Sequence, residues 1–210
     1  MALSPNLTQI VEYRGVRGLV MAEVLTDDNG TDGYTTGAVF AVAGAAEISK
    51  AVESSSETHY YDNTAAIVID SVGADTITIN ASAIPIEVQA KITGQKFLSV
   101  KGALVEGGGP TAPYLAVGYI AEKSDGSEVL VWRYKGKVTL GDITHTTKDN
   151  SASANGQTLT YTGIDTTHKW AANGNKGSKG IVVDTSLGLA DVSTFFDTVT
   201  TPDTLAAVTP

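Results

Sequence analysis

The chain of 210 residues contains no cysteine. That excludes a disulfide framework, a thiolate nucleophile and any Cys-ligated zinc site, so stability has to come from packing or from assembly. Basic residues are scarce: 14 Lys and Arg stand against 23 Asp and Glu, a formal net charge of −9. Non-specific binding to nucleic acid depends on Lys and Arg neutralising phosphates, so the charge balance argues against a DNA grip but leaves open a passage that lets DNA slide by without sticking. No apolar run approaches the ~20 residues needed to span a bilayer. The start, MALSPNLTQIVEYRG, lacks the basic n-region and apolar h-region of a signal segment. The expectation is a soluble protein made in a cytoplasm, with no membrane partner.

What is present is a folding composition: 42% hydrophobic and 18% charged residues argue for a packed core despite abundant Gly, Ala, Thr and Ser. The length suits one β domain over 1–210, with the N-terminal segment 1–37 and the C-terminal segment 171–210 as arms or extensions of less defined pattern. VRGLVMAEVLT (16–26) reads as a strand, and DDNGTDG (Asp27 to Gly33) as a turn marked by Asn-Gly and Asp-Gly. EISKAVESSSETHYYDN places Ile48 and Val52 at positions of a strand with one face in a core. AAIVID and DTITINAS read as two β-branched runs, with Gly73 supplying a turn between them.

IPIEVQAKITG (84–94) is the one helical pattern. Ser82 is a candidate N-cap, Pro85 suits the first turn, Ile84, Val88 and Ile92 recur at i, i+4 and i+8, and Gly94 is a C-terminal stop. KFLSVKGALVE reads as one strand, GGGPTAP as a loop, and YLAVGYIAEK with SEVLVWRYKGKVTLG as a hairpin around Ser124, Asp125 and Gly126. Residues 144–157 read as a polar loop before the strand TLTYTGID, KGIVVDTS as a strand, and ADVSTFFDTV as a short helix ended before Pro202. The fold class is therefore mainly β, a β-sandwich or barrel with one short helix packed against it and long loops.

Chemistry finds little support in the residues. His59, His145 and His168 are far apart and show no metal-ligand spacing. DDNGTDG resembles a calcium loop only in its acidity: the twelfth positions, counted from Asp27 and Asp28, are Ala38 and Val39 rather than Glu. GGGP at Gly107 to Pro110 lacks the Lys-Ser/Thr pair of a phosphate loop, and no Gly-x-Ser-x-Gly elbow occurs. VWRYKGKV interleaves Trp132 and Tyr134 with Arg133, Lys135 and Lys137; strand alternation puts the aromatics toward a core and the cations outside. The reading is not an enzyme, with no cofactor, metal or catalytic residue.

Two motifs in order carry a resemblance. Pro85, Glu87, Val88 and Gln89 of the helix, followed by Tyr114, Gly118, Trp132, Tyr134, Lys135, Gly136 and Lys137 of the hairpin, resemble the major tail protein, or tail tube protein, of long non-contractile-tailed bacteriophages, over roughly residues 38–170. The resemblance implies a virion structural protein that forms hexameric rings stacked into a tail tube, the conduit for genome ejection. Its partners would be further copies of itself, a tape-measure protein and DNA within the lumen, and tail terminator and tail-tip proteins at the ends. Asp27, Asp28, Asn29, Asp32, Lys148, Asp149 and Asn150 are then candidate inter-ring loop residues. The helix residues Ile84, Pro85, Val88 and Ile92 mark the fold rather than any chemistry. The competing readings are a tube component of a phage-derived or secretion-type injection machine and, from another class, an acidic adhesin or carbohydrate-binding β-sandwich. That last reading calls for a signal segment and an exposed aromatic cluster, and neither is evident.

Overall fold

β-Branched and alternating runs make up most of the chain and become strands. The computed structural model describes residues 10–30, 32–143 and 156–208. Within them lie β1 (Tyr13–Asp27), β2 (Tyr34–Thr36), β3 (Phe40–Ala41), β4 (Ala45–Tyr61), β5 (Thr64–Ala81), α1 (Ile86–Thr93), β6 (Lys96–Leu98), β7 (Ala103–Val105), β8 (Leu115–Lys123), β9 (Glu128–Leu140), β10 (Gln157–Gly163) and β11 (Gly180–Asp184). Nine strands join in one antiparallel sheet of order β2-β1-β8-β9-β10-β5-β4, with β3 on β1 and β11 on β9. β6 and β7 form a separate small hairpin. The sheet curls until β4 returns against β1.

β9 organises the sheet. One of its edges takes β8; the other takes β11 over Val129 to Arg133 and then β10 over Gly136 to Leu140. Successive side chains on β1 and β8 enter different cores: Leu19, Met21, Leu115 and Val117 pack with Ile77, Ile79, Leu159, Tyr161 and the helix residues Ile84 and Ile92. Ala22 and Ala116 pack instead with Trp132, Tyr134, Trp170, Phe195 and Val199. These central strands are covered on both faces, which is why LAVGYIA and VLVW are continuous apolar runs rather than alternating ones.

The second core depends on the C-terminal segment. Trp132 Nε1 donates to the Phe195 carbonyl at 2.9 Å and Tyr134 Oη to the Thr200 carbonyl at 3.2 Å, so each buried aromatic keeps its polar end satisfied. Segment 171–210 is therefore a cover for the sheet as far as residue 208, and residues 13–27 of the N-terminal segment are a strand inside it.

Several local expectations are corrected. The turn between β4 and β5 is Asp62-Asn63, both at positive φ (49° and 61°), and β5 runs straight through Gly73, where an extra residue opposes β4 as a bulge. Asp and Asn tolerate the left-handed conformation, which the eye drawn to Gly overlooks. Val52 lies outside the core, 48% exposed. KFLSVKGALVE is a hairpin, β6 and β7, turned at residues 99–102. Ser82 does not cap α1: its hydroxyl accepts from the Gly44 N–H at 3.1 Å, the N-cap is Pro85, and Ile84 precedes the helix. Residues 190–199 form no helix: Ala190 bridges to Ala207, Asp191 accepts from the Ser193 N–H, and residues 193–199 follow as consecutive turns. Arg133 and Lys135 are not outside cations: their side chains are only 12% and 13% exposed, folded beneath carboxylates.

Candidate functional site

The feature that sets this fold apart from a plain sandwich is the outer half of the β4–β5 hairpin. β10 pairs β5 only from Asp75 to Ala81, and among the described residues no strand pairs the far edge of β4, so from Val52 to Val72 the two strands there bond only to each other. At the rise of a strand, the ten residues from Val52 to Tyr61 extend about 30 Å from the body. Both faces of this ribbon are exposed: Ile67, Val68 and Ile69 in succession stand 49%, 59% and 55% open, with Tyr60, Tyr61 and Val72 beside them. An isolated two-stranded ribbon gains little from its own contacts, and unpaired edges flanked by apolar side chains are a template for further strand or side-chain packing.

Where the ribbon leaves the sheet, it is anchored by charge. The buried Asp75 carboxylate at the start of the β10-paired part of β5 meets Lys50 of β4 at 2.9 Å, Lys179 just before β11 at 3.1 Å, and Arg133 of β9 at 3.6 Å. Burial pushes the Asp75 carboxyl up, but the Lys50 and Lys179 ammonium groups outweigh it and hold the group below the usual carboxylate range. Three cations on three elements thus converge on one carboxylate.

A second buried carboxylate ties the opposite edge. Asp27, the last residue of β1, binds the Lys135 ammonium and accepts the N–H groups of Thr167 and His168 at 2.9 and 2.8 Å. Burial raises its carboxyl, and Lys135 with the two N–H donors more than reverses that. Of the loop candidates, then, Asp27 is spent inside the subunit. Asp28 turns its Oδ1 to the Gly30 and Gly33 N–H groups, closing the β1–β2 loop, while Asn29 and Asp32 are exposed. Lys148, Asp149 and Asn150 lie outside the described residues.

The helix residues sit as a cover: Ile84 and Ile92 are in the first core, Val88 packs against it, and the Gln89 amide donates to the Ile84 carbonyl at 2.8 Å. Gly94 ends the helix at φ 73°. The Tyr134-Lys135-Gly136-Lys137 run has a separate task for every position. Tyr134 plugs the second core, Lys135 grips Asp27, Gly136 leaves room for the Tyr161 ring, and Lys137 lies 5.2 Å from the Tyr114 ring centroid. Gly118 similarly makes space for Trp132 and Phe196.

His168 stacks edge-on to Trp170, with Nδ1 3.0 Å from the Asp28 carbonyl oxygen; His59 is on the ribbon, and His145 lies outside the described residues. Among the described residues, no three His, Asp or Glu side chains converge to hold a metal. No helix among them is long and apolar enough to cross a membrane. What sequence reasoning missed is the ribbon itself and the Asp75 cluster. The signal was there in ESSSETHYYDNTAAIVIDS, where polar and apolar stretches follow one another without the alternation of a half-buried strand.

The architecture is a mainly β fold with one helix, a curled antiparallel sheet and a projecting apolar ribbon that pairs with no third strand among the described residues. The phage tail tube protein family matches the chain over residues 13–186, from β1 to the turn after β11, and the chain belongs to that family. It is a structural component of a phage tail, of the kind that self-assembles into the tail tube. No curated protein matches the chain in sequence.

Proposed function

We propose that this chain forms hexameric rings that stack into the tail tube, and that the tube conducts the genome out of the particle. The observation that carries the reading is the ribbon from Val52 to Val72, which exposes apolar side chains on both faces and pairs with no third strand among the described residues. Burying one such side chain contributes about 1.5–3 kcal/mol. Ile67, Val68 and Ile69 are already about half covered, so three per contact offset only part of the roughly 4–15 kcal/mol that association costs, and the rest falls to further contacts between copies. The long free edge of β4 supplies a second means of joining copies, by strand addition that leaves no open edge.

The net charge of −9 supports a lumen that repels phosphates, so that DNA slides rather than adsorbs. A tape-measure protein and DNA would occupy that lumen, with terminator and tip proteins at the two ends. Asn29 and Asp32, exposed in the β1–β2 loop, are candidates for contact between rings, beside Lys148, Asp149 and Asn150 outside the described residues.

The test is removal of the ribbon. Replacing Ser54 to Ser71 by a two-residue Asn-Gly turn leaves the body strands intact. Retained circular dichroism with loss of rings and tubes in electron micrographs is the expected result. Tubes of unchanged diameter without the ribbon would overturn the reading.

A further inference from the structure

We propose that Asn29 is a site of spontaneous modification, at which the side-chain amide is lost and an aspartyl or isoaspartyl residue takes its place. The inference concerns the single chain and does not rest on the tube reading. Asn29 precedes Gly30 in the β1–β2 loop, and both residues are exposed. A glycine nitrogen carries no Cβ beside it to obstruct its approach to the preceding side chain, so Asn-Gly is the sequence in which the main chain attacks the carboxamide most readily.

The reaction needs only the chain and water. Gly30 N forms a bond to Asn29 Cγ while its proton passes to a base from solvent, and the tetrahedral carbon then expels the amide nitrogen as ammonia, leaving a five-membered succinimide. Water opens that ring at either carbonyl: one opening gives aspartate, the other isoaspartate, in which the main chain runs through the former side-chain carbon. The Gly30 N–H is already presented to a carboxylate, since Asp28 Oδ1 accepts it at 2.7 Å and so draws on the proton that has to leave. Either product adds a negative charge to a loop that carries Asp28 and Asp32.

The same dipeptide occurs at Asn173-Gly174, equally exposed, and there the structure opposes the step. Asn173 ends the helical turn Ala171–Asn173, and its Nδ2 donates to the Gly177 carbonyl at 3.0 Å and the Lys176 carbonyl at 3.4 Å. The Gly174 N–H donates to the Ala171 carbonyl at 3.1 Å, and the Asp203 carboxylate holds the start of the turn through the Ala171 and Ala172 N–H groups. Ring closure at Asn173 has to break this turn and release the carboxamide first. In the Asn29 loop, Asp28 makes the bonds that close the turn, and among the described residues the Asn29 carboxamide is tied by none. Exposure does not separate the two sites; the hydrogen bonds do.

The full chain, kept folded in mildly alkaline buffer and then digested under acidic conditions, is read by mass spectrometry with fragmentation that assigns each change to a residue. The expected result is progressive loss of the amide at residue 29, with both aspartyl and isoaspartyl products, while the Asn173 amide persists over the same interval. Gly30→Ala should slow the loss at residue 29 several-fold. The added Cβ approaches only the far end of the Asp28 side chain, at 3.2 Å, and circular dichroism checks that the fold is kept. An Asn29 amide that lasts as long as that of Asn173 overturns the proposal. So does a loss at residue 29 that Gly30→Ala leaves unchanged, or one that yields aspartate alone, the mark of direct hydrolysis by water.

Discussion

Lys50 on β4 and Asp75 on β5 sit 2.9 Å apart at the point where the hairpin leaves the sheet. The pair, reinforced by Lys179 and Arg133, adds a charge anchor at the root of a ribbon whose strands continue into the sheet. Rigid anchorage matters for assembly, since a ribbon held in one direction loses less conformational freedom on docking than a loose one.

Removing the anchor should be costly. Asp75→Asn leaves Lys50, Lys179 and Arg133 without their shared counter-charge, and breaking a buried ion pair in this way costs about 3–5 kcal/mol. Chemical denaturation of the variant against the parent chain measures it, and Lys50→Gln, which loses the most exposed of the cations, should cost less.

Acid should act through the same groups. The folded-state pKa values of Asp75 and Asp27 are held below their ordinary value of 3.8, so both contribute stability above that pH and lose it as pH falls through the folded values. Stability attributable to them is flat from neutral pH down to about pH 5 and declines below that. Denaturation midpoints followed from pH 7 downward should show the decline, with a shallower slope in Asp75→Asn.

Gly136 pairs with Leu115 on one side and Gly163 on the other, and a side chain there would overlap the Tyr161 ring and the Thr162 carbonyl. Gly136→Ala should destabilise by about 1–3 kcal/mol, the usual range for overpacking. The neighbouring change Lys137→Ala, at an exposed position, should lie within about 0.5 kcal/mol of the parent.

Phe195 lies beyond the family match, yet it is 1% exposed in the second core. Phe195→Ala should cost about 3–5 kcal/mol. It should also shift tryptophan fluorescence to the red as water reaches Trp132, whose indole N–H bonds the Phe195 carbonyl.

Val88→Asp puts a carboxylate against the first core, and the expected outcome is loss of soluble, assembly-competent protein, with destabilisation of roughly 2 kcal/mol or more. Recovery of normal yield and tube formation would contradict the role of the helix as a cover.

The parts of this fold governed by local chemistry were legible in the residues. The β8–β9 hairpin follows from two apolar runs around Ser124-Asp125-Gly126, and the helix from apolar spacing ended by Gly94, because turn geometry and periodicity act over a few positions. The helix start was misjudged by two residues because Ser82 spends its hydroxyl on Gly44, 38 positions away. Long-range pairing was harder. Nothing near Asp75 in the chain announces Arg133 or Lys179, and nothing near Asp27 announces Lys135. The ribbon escaped because Ile67, Val68 and Ile69 look like a buried strand unless it is known that no other strand covers them.

The most direct test of the central claim is negative-stain electron microscopy of the purified full-length protein at rising concentration. The account predicts rings with a central hole that stack into tubes as concentration increases. Strictly monomeric particles at every concentration, also in the presence of preformed tube ends as seeds, would contradict it.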